Sequence, residues 1–239
     1  MIVNYTEDGW SIVLQRSHGL LAGQICAHWK KNRQPVRWVE TMIATTEHDD
    51  VSNELEADDL LNENGGPKNF KTNKFNSADC DSLLARAIEK GLYVALLISR
   101  HMLFLYESDP AAKSYCKNLK ELEKKWIKQA GTTAKEISES YELLEFCDAM
   151  SLLICQGLQQ PEQRRIEISN GPDGVTYTLS EAKNGDLIVS PWPFEQDSIT
   201  VNYEARNVNQ LSFKDAAEFR KILQDTDVTQ RALTISKEG

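Results

Sequence analysis

His48 stands directly beside Asp49 and Asp50 in the stretch TMIATTEHDDVSNELEADD, and the chain has only three other histidines, His18, His28 and His101. Two readings fit this trio. It is either an acidic helix end that includes an imidazole, or His48 and Asp49 are ligands for a metal ion. Imidazole and carboxylate together are the donor set of zinc, iron, manganese, nickel or cobalt, with carboxylates neutralising charge and imidazoles adding affinity. Thiolates do not join them. The five cysteines (Cys26, Cys80, Cys116, Cys147, Cys155) show no CxxC spacing, so they read as buried free thiols rather than a zinc cluster or a disulfide framework.

The surrounding elements decide which ionisable groups point inward. SHGLLAGQICAHWKKN (17–32) carries Leu21, Ala22, Ile25 and Trp29 at helical spacing, with Ser17 as the expected N-cap and His18 on the apolar stripe. Gly19 and Gly23, four apart, would let another backbone approach that helix closely. Pro35 opens a second helix, VRWVETMIATTEHDD, whose expected buried stripe is Val36, Val39, Met42 and Ile43. A third runs through DSLLARAIEKGLYVALLISRHMLFLYESD and turns His101 inward between Leu97, Ile98, Phe104 and Leu105. Two more follow, KNLKELEKKWIKQAG and AKEISESYELLEFCDAMSLLICQGLQQ.

In the last of these, Asp148 sits where the helix is apolar almost all round. A lone buried carboxylate costs several kcal/mol unless something cationic meets it. Arg100, a lysine or a metal ion would serve. His28 faces a mixed surface of Gln24, Lys31 and Asn32 and reads as a boundary residue.

Between the second and third helices, residues 51–80 form an acidic, amide-rich segment broken by Gly65-Gly66-Pro67, either a floppy loop or a functional lid. From Pro161 the pattern changes to short β-branched runs, RRIEIS, VTYTLSE, DLIVSPWPF, SITVNYEARNV and QRALTIS, with a hairpin signal at Asn184-Gly185 and one short helix, FKDAAEFRKIL. The expected fold is α+β: a mainly helical body over 1–160, and a C-terminal antiparallel β-rich segment over 161–239 packed on it. Trp192 and Phe194 in VSPWPF read as packing of the sheet onto the helices, with a partner-docking point as the alternative.

Composition narrows the partners. The chain has 239 residues, 41% apolar and 26% charged, enough to bury a full core, and its net charge of −9 argues against broad nucleic-acid or anionic-membrane binding. No basic start precedes an apolar run, and the longest apolar runs, YVALLIS and MLFLY, fall short of a membrane span. A cytoplasmic protein is expected.

The order His18, then His48-Asp49, then Asp148 resembles the H…HD…D signature of the HD superfamily, helical metal-dependent hydrolases acting mostly on phosphate esters. LQRSHGLLAGQICAHW, EHDD, ALLISRH, CDAMSLLIC and SPWPF are also similar, over most of the chain, to a bacterial family catalogued as a domain of unknown function. The HD resemblance implies a helical HD-like core with His18, His48, Asp49 and Asp148 as ligands of one divalent transition ion (Fe, Mn, Ni, Co or Zn). It also implies hydrolysis of a phosphate ester of a small molecule or nucleotide, with Asp49 orienting the water and His101 as general acid or base. Arg86, Lys90, Arg100, Lys68 and Lys71 are candidate phosphate contacts, and Gln15, one turn before His18, is a candidate hydrogen-bond partner of the ligands. Two alternatives stand beside this expectation, an HD-type iron-dependent oxygenase and a non-enzymatic metal-binding sensor or interaction protein.

Overall fold

The computed structural model of the chain describes residues 1–51 and 53–237, the side chain of Asp173 excepted. Among them the strands are β1 (Ile2–Thr6), β2 (Gly9–Val13), β3 (Ile166–Gly171), β4 (Val175–Glu181), β5 (Leu187–Ser190), β6 (Ser198–Val208) and β7 (Val228–Ser236). The helices are α1 (Gln15–Ala27), α2 (Trp38–Glu47), α3 (Ser77–Lys90), α4 (Leu92–Tyr106), α5 (Lys113–Gln129), α6 (Ala134–Cys155) and α7 (Ala216–Asp225). None of these helices is long and apolar enough to cross a membrane.

The seven strands form one sheet in the order β1-β2-β6-β7-β5-β4-β3. This corrects the expected fold. A mainly helical HD-like core with an appended antiparallel segment does not form; the sheet is central. It is also mixed, since β5 and β7 pair in parallel, Leu187 opposite Ile235. Its far edge comes from the N-terminus, where β1 and β2 make a hairpin in register Thr6 to Gly9, and β2 then pairs with β6. The two-residue turn is Glu7-Asp8, and Gly9, which opens β2, follows it between the two β-branched runs.

Helix α1 packs where β2 leaves off. β2 pairs with β6 only over Arg206–Val208, and beyond that point side chains of α1 meet the open backbone. Gln24 Nε2 donates to Asn202 O at 2.8 Å, and Ser17 Oγ accepts from Glu204 N at 3.1 Å. Ser17 is therefore not the N-cap; Leu14 holds that position without a side-chain cap.

α1 and α6 bury Leu21, Ile25, Phe146 and Met150, with Trp29 just beyond α1, against Tyr177, Leu179, Val201 and Ile235 of the sheet. The N-terminal half of α6 turns Ile137 and Leu144 into a second core with Leu96, Leu97 and Trp126. α6 thus lies in both cores, which explains why its sequence is apolar almost all round. Phe194 is fully buried beside Trp29, 6.3 Å between ring centroids, as expected of VSPWPF.

Two helical expectations change. The long third helix is broken at Gly91, whose φ of +131° suits glycine and separates α3 from α4. α2 begins at Trp38 rather than at Pro35, and its buried face is Thr41, Ala44 and Thr45, while Val39, and Val36 ahead of the helix, are exposed. The apolar stripe misled because the threonines satisfy their own hydroxyls: Thr41 donates to Arg37 O and Thr45 to Thr41 O, each at 2.9 Å. A satisfied threonine buries at little cost.

The small face of α2 meets the glycine face of α1. A Cβ on Gly19 would lie 2.4 Å from Thr46 O, and one on Gly23 would lie 2.2 Å from Thr46 Oγ1. The segment after α2 is a packed strap: Leu60 is buried with Phe213 and Phe219, Glu54 accepts from Gln15 N at 2.7 Å, and Arg220 holds Ala57 O at 2.9 Å. Ser52, at the start of the expected lid, lies outside the described residues.

Candidate metal centre

Four helices deliver the ionisable groups to one point. His18 comes from the first turn of α1, His48 caps the C-terminus of α2 with Asp49 following it, His101 lies in α4 and Asp148 in α6. The close passage of α2 over Gly19 and Gly23 sets His18 and His48 edge to face with ring centroids 4.9 Å apart, and His48 stands in the same relation to His101, also at 4.9 Å.

The donor atoms converge. His18 Nε2 lies 3.4 Å from Asp49 Oδ2 and 3.6 Å from Asp148 Oδ1. His48 Nε2 lies 3.1 Å from Asp148 Oδ1 and 3.7 Å from Asp49 Oδ2. His101 Nε2 approaches the other Asp49 oxygen, Oδ1, at 3.5 Å. The three imidazoles and Asp148 are buried, whereas the Asp49 side chain keeps 21% of its surface and opens the cluster to solvent.

Hydrogen bonds on the far side of the rings fix which nitrogen faces inward. His48 Nδ1 is 2.8 Å from Thr45 O. A carbonyl only accepts, so Nδ1 carries a proton. Ser151 Oγ donates to Asp148 O at 2.8 Å and therefore accepts from His18 Nδ1 at 2.7 Å. In the neutral rings both Nε2 atoms would then turn lone pairs toward the carboxylates, the form in which an imidazole binds a metal. His18 Nε2, His48 Nε2 and Asp148 Oδ1 are buried without a hydrogen-bond partner: close as they are, they are not aligned as N–H···O pairs.

This pattern suits a shared cation. Two donors about 2.1 Å from one ion, at tetrahedral or octahedral angles, are roughly 3.0–3.4 Å apart, close to the spacings here. His18, His48 and Asp49 form one group able to hold a metal ion, and His48, His101 and Asp148 form another that shares His48.

The charges reinforce one another. Burial alone would lower the His48 pKa, but Asp148 and Asp49 beside it outweigh that and push it up to about 9. Burial would likewise raise both carboxyls, yet neighbouring His48 holds Asp49 well below the ordinary range and lowers Asp148.

Gln15 Nε2 donates to Asp49 Oδ2 at 2.8 Å, the contact its position one turn before His18 implied. Arg100 is no partner of Asp148; its Nε faces Glu123 Oε2 at 3.3 Å on the other side of α4. Three further candidate phosphate contacts are engaged by other groups: Arg86 with Val51 O, Lys90 with Glu47 at 2.8 Å and Lys68 with Asp59. His28 stays outside the cluster, near Gln196 Oε1 at 3.2 Å. Ser151 was not foreseen. Its signal was a second polar residue on the inward face of α6, one turn after Asp148.

A family model described as a protein of unknown function (DUF3891) matches residues 1–210. The chain belongs to the DUF3891 family. The match includes all five residues of the cluster and Ser151, and it ends before α7 and β7 of this DUF3891 member. No curated protein and no solved structure matches the chain.

Proposed function

We propose that the protein is a metal-dependent hydrolase acting on a phosphate ester of a small molecule or nucleotide. One divalent transition ion would be held by His18, His48, Asp49 and Asp148. The observation that carries the reading is the convergence of three buried, unpartnered donor atoms, His18 Nε2, His48 Nε2 and Asp148 Oδ1. Without a metal the cluster depends on His48 staying protonated 3.1 Å from Asp148, and His18 Nε2 is left buried with no hydrogen bond; one divalent ion would satisfy all three atoms together. Their order along the chain resembles H…HD…D, a pattern shared by phosphohydrolases and by an iron-dependent oxygenase alternative, so the choice between them rests on the assays below.

A divalent ion supplies Lewis-acid polarisation of an ester oxygen and a more acidic water. The chain supplies the rest. Asp49 uses Oδ2 toward His18 and His48 and Oδ1 toward His101, and Gln15 keeps that carboxylate from rotating. His101 has Nδ1 at 3.5 Å from the Tyr141 hydroxyl and Nε2 beside the partly buried Asp49 carboxylate, where it would move a proton to or from the reacting oxygen.

The test is elemental analysis of protein purified without affinity tag or chelator, beside His48→Ala and Asp148→Ala, followed by turnover of 4-nitrophenyl phosphate and oxygen uptake with reduced iron. One equivalent of metal in the parent, lost in both variants, together with ester turnover is the expected result. Metal with oxygen uptake and no ester turnover replaces the hydrolase with an oxygenase. Metal with neither activity leaves a sensor, and no metal after reconstitution overturns the centre itself.

A further inference from the structure

We infer that Phe104, Tyr141 and His101 form a seat for a planar aromatic ring of the substrate, carried one or two bonds from the group held at the His/Asp cluster; this rests on the metal-centre reading above. Phe104 is 60% exposed, although it lies on α4, whose run from Tyr93 to Ser99 is wholly buried. Its ring is stacked on His101 with centroids 6.5 Å apart and 23° between planes. Tyr141 closes the corner, 6.3 Å from each of the other two rings. An exposed phenylalanine by itself means little. Here it extends the wall of the His/Asp cluster beside His101, whose Nε2 approaches the partly buried Asp49.

The charges around the cluster favour a ring over a second anionic group. Arg16 is taken by Asp50 at 2.6 Å, Lys90 by Glu47 and Arg100 by Glu123. Asp50 and Glu47, which flank His48 and Asp49 in sequence, close the first two of these pairs, so none of these three cations is free to hold a polyphosphate chain. Discrimination beyond the metal-held group then falls to the aromatic wall, where a stacked ring is worth roughly tenfold in affinity or more. The aryl group must be close to the reacting centre, because His101 belongs both to the wall and to the donor cluster.

The probes are benzohydroxamate and acetohydroxamate, which chelate a metal through the same group and differ by a phenyl in place of a methyl. Each is titrated by calorimetry into metal-loaded parent, Phe104→Ala and Phe104→Tyr, with metal content and sedimentation measured alongside. Benzohydroxamate should bind the parent roughly tenfold more tightly. Phe104→Ala should close that gap with metal content unchanged, and Phe104→Tyr should keep it. Equal affinities in the parent, or a gap that survives Phe104→Ala, overturns the ring seat and leaves the metal centre standing. A change of sedimentation in Phe104→Ala with no change in the gap assigns the exposed ring to a second copy of the chain instead. Failure of the parent to hold metal removes the underlying reading, and metal retained without binding of either hydroxamate overturns the seat.

Discussion

Ser151 Oγ lies 2.7 Å from His18 Nδ1 while giving its own hydrogen to Asp148 O at 2.8 Å. The serine therefore accepts from the imidazole and holds it in the tautomer that presents Nε2 to Asp49 and Asp148. Ser151→Ala removes that constraint without touching a ligand. Metal affinity should fall about 10- to 100-fold, measured by competition against a chromogenic chelator, with helical content by circular dichroism unchanged. An unchanged affinity would mean that packing alone orients His18.

Asp49 is oriented by Gln15 and approached by His101, and these contacts act on the reaction more than on metal retention. His101→Gln should keep its metal and lose about two to four orders of magnitude in kcat, the usual contribution of a positioned acid or base. Gln15→Ala should keep its metal with a smaller loss. Loss of metal from His101→Gln would make His101 a ligand, and the measurement that decides is metal content beside turnover.

Gly19 and Gly23 bring α2 within reach of α1, but against different atoms of Thr46. At Gly19 the obstacle is the Thr46 carbonyl, and at Gly23 it is the Thr46 hydroxyl. Both alanine variants should be destabilised by about 1–3 kcal/mol in urea unfolding, as overpacking usually is. Adding Thr46→Ala should recover stability in Gly23→Ala and not in Gly19→Ala. Rescue of both would show that the helices shift easily.

Glu123 is buried on α5, with Ser99 Oγ donating to Oε1 at 2.5 Å and Arg100 at 3.3 Å from Oε2. Burial raises its pKa, only partly offset by Ser99 and Arg100. A carboxyl with a raised folded pKa contributes its full stability below the unfolded value of about 4.3 and loses it as pH climbs through the raised one. Parent stability relative to Glu123→Gln should therefore decline as pH rises from that value toward neutrality, in denaturant titrations of both proteins across that range. The opposite slope would show that Arg100 holds Glu123 ionised throughout.

The sequence by itself determined which side chains are anomalous. Helical periodicity places His18, His101 and Asp148 on apolar faces because a helix returns to the same side every 3.6 residues, a local property that needs no knowledge of the fold. The adjacency of His48 and Asp49 and the glycine spacing in α1 are local in the same sense. The buried face of α2 is not legible in the same way, because threonines that satisfy their own hydroxyls look polar in a sequence and bury in a helix pair. Only the tertiary structure decided that β1 and β2 join the C-terminal strands, that β5 runs parallel to β7, that Arg100 turns to Glu123, and that Ser151 fixes the tautomer of His18. Each is a pairing between residues distant in the chain. Such pairings depend on which surfaces meet when the cores close, and no periodicity within a segment carries that information.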